Sequence, residues 1–126
     1  MRLNPSKEMV EKADAFLKKI RGLLATNECI FKPSEKNRAF SMRFPLRHEE
    51  KVKIIKKLSG HDCIKIAPND NPRYEKAEVF AFCKEVELLS FGESETVELY
   101  IKMYLNEGEK QTVVIVISFH EEGMYD

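Results

Sequence analysis

Residues 97–123, VELYIKMYLNEGEKQTVVIVISFHEEG, decide how this chain folds. Side chains of a strand alternate between two faces. In VELYIKMYL, Leu99, Ile101, Met103 and Leu105 therefore share one face, and Glu98, Tyr100, Lys102 and Tyr104 share the other. The first face is fit to pack on helices. The second presents two phenols and an ammonium group. The turn NEGE predicts a hairpin, with Gly108 supplying positive φ. The next run, QTVVIVISFH (111–120), places Val113, Ile115, Ile117 and Phe119 on one face and Val114, Val116, Ser118 and His120 on the other. It is apolar on both faces, which predicts an interior strand. His120 falls at its end, where a side chain is expected to meet solvent or a ligand.

Upstream, AEVFAFCKEVEL (77–88) reads as a third strand, with Glu78, Phe80, Phe82 and Lys84 on one face. Before it, APNDNPR reads as a loop, because it holds two prolines and two asparagines. The first half of the chain is helical. Met9, Val10, Ala13, Phe16, Leu17, Ile20, Leu23 and Leu24 recur at three- and four-residue spacing, one apolar stripe of a long helix. Asn4 is placed to cap it, Pro5 to occupy its first turn, and its end is expected near residues 25–27. CIFK (29–32) predicts a short strand, SEKNRAF a turn of helix broken before Pro45, and residues 47–59 a second amphipathic helix stopped by Gly60. The expected fold is α+β: N-terminal helices packed on one face of a small antiparallel sheet that ends in a three-stranded meander.

Length bounds the rest. The 126 residues make one domain, with room for one real core. No apolar run approaches the roughly 20 residues of a membrane span, and no signal-peptide pattern opens the chain, so the expectation is a cytoplasmic protein with no membrane partner. Cys29, Cys63 and Cys83 are an odd number and widely spaced, which argues against disulfides and a structural zinc site. Net charge is zero but sorted. Residues 1–66 hold 16 Lys+Arg against 8 Asp+Glu, and residues 67–126 hold 5 against 13. The first half is suited to phosphates and the second to a basic partner.

The order of the motifs resembles the MqsR family of bacterial toxins, within the RelE-like ribonuclease group. EVFAFCKEVEL, VELYIKMYL and VIVISFHEE carry most of the likeness, HDCIKIAP adds to it, and the similar region runs from about Phe16 to Glu122. The resemblance implies a RelE-like fold and a metal-independent endoribonuclease that cleaves mRNA and uses no cofactor. It also implies a cognate antitoxin with a zinc-binding or helix-turn-helix part. Carried over residue by residue, it points to Lys65, Tyr100 and His120 as the catalytic set. The sequence departs from the family pattern at Ala81, where a Gln is usual, and in a longer ELLSFGESET insertion.

The chemistry of these residue types agrees with that implication. Metal-free RNA cleavage uses the 2′-hydroxyl as nucleophile and needs a base, an acid and cations for developing charge. His120 suits either proton role at neutral pH. Lys65 and Lys102 suit phosphate, and Tyr100 suits hydrogen bonding or base stacking. Lys84, Lys102 and Tyr104 are expected to contact RNA. No carboxylate or His/Cys cluster suggests a metal. The competing reading is a catalytically inactive RNA- or protein-binding module of the same fold.

Overall fold

The computed structural model describes residues 5–24, 26, 28–69, 77–108 and 110–123. Among these, three helices pack against a five-stranded mixed sheet. Helix α1 spans Lys7–Leu24, α2 Glu35–Arg43 and α3 His48–Lys56. The strands are β1 Cys29–Phe31, β2 Cys63–Pro68, β3 Glu78–Ser90, β4 Glu93–Glu107 and β5 Thr112–Glu121. Their order across the sheet is β1-β5-β4-β3-β2. The meander β3-β4-β5 is antiparallel, as its hairpins require, and β5 is flanked on both sides. The expectation of a wholly antiparallel sheet fails at one edge. There β1 runs parallel to β5; no hairpin joins the two, since α2, α3 and three strands lie between them in the chain.

The apolar stripe of α1 forms the core as periodicity demands. Ala13, Phe16, Leu17, Ile20 and Leu24 are buried, and Leu99, Ile101 and Met103 of β4 join them in one cluster. Phe16 stacks on Phe80 of β3 with ring centroids 4.1 Å apart. Burying one such side chain is worth roughly 1.5–3 kcal/mol. The cap of α1 is Ser6, whose hydroxyl accepts the Met9 N–H at 3.1 Å; Pro5 precedes the helix instead of opening it, and Asn4 lies outside the described residues. So do residues 25 and 27, the expected end of that helix.

Several local expectations change. SEKNRAF is not a single turn but the start of the nine-residue α2, capped by Ser34. Helix α3 ends at Lys56, short of residue 59. Gly60 does not stop it. It lies in the 3-10 turn Gly60–Asp62 against α1, where its N–H reaches Asp14 Oδ1 at 2.6 Å and a Cβ would strike the Val10 carbonyl. The segment CIKIAP forms β2, an edge strand that alternation does not announce and that ends on Pro68, a residue edges tolerate. The start of the expected APNDNPR loop therefore belongs to a strand, and residues 70–73 lie outside the described residues. Gly108 does not take positive φ. Its N–H bonds the Gln111 carbonyl at 3.0 Å, a backbone approach too close for a Cβ.

Candidate functional site

The face of the sheet away from the helices carries the residues of interest in two rows. Lys65, Ala81, Lys102 and Ser118 stand opposite one another across β2, β3, β4 and β5. Cys83, Tyr100 and His120 form the next row across β3, β4 and β5. Ala81 is small, so the two lysines flanking it border a depression. Strands lie about 4.8 Å apart, so their backbones are roughly 10 Å apart across it. A recess of about 350 Å³ opens there, and Lys32, Lys65, Lys102, Tyr100, Tyr104 and Ala81 help to line it. No carboxylate among the described residues lines it. Among the described residues no ion pair engages Lys32, Lys65 or Lys102. Three ammonium groups beside two phenols favour a phosphate-bearing ligand.

His120 reaches this face through an irregularity. Lys102 pairs with Ser118, but Met103 pairs with Val116, so Ile117 is an extra residue in β5. Such a bulge reverses the facing of everything after it. Val114, Val116 and Phe119 thus belong to the core under the helices, whereas Val113 and Ile115 cluster with Val79 and Tyr104 on the outer face. Phe119 therefore does not share a face with Val113 and Ile115, nor His120 with Val114 and Val116. The bulge leaves backbone groups without ladder partners, and Asn37 of α2 supplies them. Its Oδ1 accepts the Phe119 N–H at 2.9 Å, and its Nδ2 donates to the carbonyls of Ile117 at 3.0 Å and Lys32 at 2.8 Å. One buried amide holds the bulge and the end of β1, and so positions both His120 and Lys32.

Around Tyr100 the groups are coupled. The Cys83 thiol donates to Glu122 Oε2 at 3.2 Å. Partial burial, followed by the charges of Glu122 and Cys83, pushes the Tyr100 phenol above its ordinary range. It is therefore a hydrogen-bond donor throughout the neutral range, not a phenolate. His120 lies beside it, ring centroids 5.5 Å apart at 35°. His120 Nδ1 sits 2.9 Å from the Glu121 carbonyl, which can only accept, so Nδ1 carries the proton and Nε2 is the basic nitrogen.

The predicted residues divide accordingly. Lys65, Tyr100 and Lys102 meet at the recess, Lys65 exposed and the other two half-buried. His120 does not open to solvent. It is only 6% exposed and does not line the recess, because β5 runs on to Glu121 and the Tyr100 ring covers it. Tyr104 borders the recess but is 4% exposed, packed with Val79, Val113 and Ile115, which leaves little of its ring for a base. Lys84 is on the wrong side. It shares the face of Phe80 and Phe82, and its ammonium pairs with Asp62 at 3.6 Å. Sequence reading missed Lys32 and Asn37. Only the parallel pairing of β1 with β5 brings them here, and no local pattern announces that pairing. Among the described residues no three His, Cys, Asp or Glu side chains gather as metal ligands. No family model matches the chain, and neither does any curated protein or solved structure.

Proposed function

We propose that this chain is a metal-independent endoribonuclease of RelE-like architecture, a toxin that cleaves mRNA and is held in check by a cognate antitoxin in the cytoplasm. The observation that carries the reading is the convergence of Lys32, Lys65 and Lys102 with Tyr100 on one recess that no carboxylate among the described residues lines. In this reading the scissile phosphate sits among the lysines, which stabilise its developing charge. The 2′-hydroxyl attacks phosphorus and gives its proton to water, the bond to the 5′-oxygen breaks as that oxygen takes the Tyr100 proton, and the products are a 2′,3′-cyclic phosphate and a 5′-hydroxyl. Water then returns a proton to Tyr100. Tyr100, kept protonated by its surroundings, faces the leaving oxygen. His120 lies behind it with Nε2 basic and Nδ1–H fixed on the Glu121 carbonyl.

The test is cleavage of a single-stranded RNA by purified protein in EDTA, with product ends mapped. The expected result is cleavage without added metal, leaving cyclic phosphates. Lys65→Ala and Lys102→Ala should each lower the rate roughly 10- to 100-fold, the scale of one charge-assisted phosphate contact of about 1.5–3 kcal/mol. Lys65→Ala should not move stability by more than about 0.5 kcal/mol, since Lys65 is exposed. Cleavage only with magnesium, or at the wild-type rate in both variants, would overturn the mechanism.

A second reading has one observation in its favour. Because His120 is buried, the recess presents no imidazole, as a pure binding module would. That reading expects RNA bound in the recess, with tight binding lost in Lys65→Ala, and no cleavage under any condition.

A further inference from the structure

The β3–β4 hairpin outruns its neighbours. Strand β2 begins at Cys63, opposite Phe82, and β5 ends at Glu121, opposite Leu99. Beyond those points the sheet is a two-stranded ribbon, residues 85–90 against 93–98. One side of the ribbon is filled, for Leu88, Ser90 and Val97 are buried. On the other side Glu85, Glu87, Leu89, Ser94 and Thr96 are all exposed.

Three features of this outer side are unfavourable in an isolated molecule. Leu89 is 69% exposed and Phe91, at the tip, 95%. Phe91 and Gly92 form a two-residue turn with φ of 52° and 83°, where Asn-Gly is the favoured pair and a bulky side chain is strained. Glu85 stands directly opposite Glu98 on one face, and like charges so placed repel. An acidic surface beside an exposed aromatic tip repels nucleic acid and attracts a cation-bearing, partly apolar surface.

We propose that this ribbon is a docking surface for a basic protein partner. The partner segment carries Lys or Arg side chains that meet Glu85 and Glu87, and an apolar side chain that covers Leu89 and Phe91. The ribbon is separate from the lysine recess, so the proposal stands whether or not the chain cleaves RNA.

The probe is a fluorescein-labelled nine-residue peptide alternating Lys with Val and ending in Phe, titrated against the full chain by fluorescence polarisation. Two control peptides replace every Lys by Ser, or every apolar residue by Ser. The alternating peptide should bind, and both controls should bind at least about tenfold more weakly. Phe91→Asn and Leu89→Ser should each cost roughly tenfold, and Glu85→Gln with Glu87→Gln should weaken binding and flatten its salt dependence. Phe91→Asn should fold, checked by thermal melting, because Asn suits the turn. RNA binding or cleavage should be unchanged in it. No binding, equal binding of the purely cationic peptide, or undiminished binding by Phe91→Asn would overturn the proposal. So would a wild-type dimer in sedimentation that Phe91→Asn dissolves, since a second copy would then occupy the surface.

Discussion

Asn37 does at the residue scale what no stretch of local sequence could announce. Its amide closes three backbone bonds across α2, β1 and β5, all within hydrogen-bond distance and shielded from water. Replacing it with Ala leaves the Phe119 N–H and two carbonyls without that partner. The expected cost is about 2–3 kcal/mol in urea unfolding, the upper range for buried groups left unsatisfied. Asn37→Asp keeps one acceptor and loses both donors, so it should be nearly as damaging. In both variants the His120 ring resonances should shift, because the bulge that sets its facing loosens. A second residue-scale expectation concerns pH. Burial pushes the Cys29 thiol up to about 11. A group whose pKa is raised on folding contributes stability that is complete below its unfolded value. For this thiol that value is near pH 9, and the contribution is lost as pH climbs through about 11. The Tyr100 phenol shifts in the same direction. Unfolding free energy should therefore fall on the alkaline side, and Cys29→Ala should make that fall shallower.

At the scale of elements, regular stretches were legible and irregular ones were not. Strand β4 alternates without interruption from Val97 to Leu105, so Tyr100 and Lys102 fall on the outer face that alternation assigns them. Strand β5 contains one extra residue, which has no periodicity of its own, and the facing of Phe119 and His120 was therefore misjudged. Lys84 follows the simple rule: it shares the face of two buried phenylalanines, which already places it away from Tyr100. The ELLSFGESET insertion lengthens two strands and closes on Phe91-Gly92. Its turn yields an expectation about stability. Phe91→Asn removes a left-handed strain of about 1 kcal/mol and should raise the melting temperature by several degrees. An unchanged or lower melting temperature would mean that Phe91 packs on the chain in solution.

For the whole molecule, zero net charge conceals a sheet face with two signs. Lysines gather at the recess, and carboxylates line the ribbon beyond the Cys83–Tyr100–His120 row. The sorting of charge between chain halves was visible in the sequence, but its arrangement on one face was not, since it depends on Lys32 and Lys65 joining the sheet at opposite edges. Binding of single-stranded RNA should weaken with salt. If the three lysines displace three counterions, the slope of log affinity against log salt is about −2. Lys32→Ala should reduce it by about one third, which titrations at several salt concentrations will read. A slope near zero would remove the recess lysines from phosphate binding.

The bulge also gives the gene one codon of slack. Removing the codon for Ile117 would let β5 resume strict alternation with Val114, Val116 and Phe119 still inward and the imidazole of His120 still beside Tyr100. A deletion of one residue there would thus straighten the strand without moving any side chain of its last stretch to the other side. Length variation among relatives should therefore be tolerated at the ribbon tip and, by that one residue, between Val116 and Ser118.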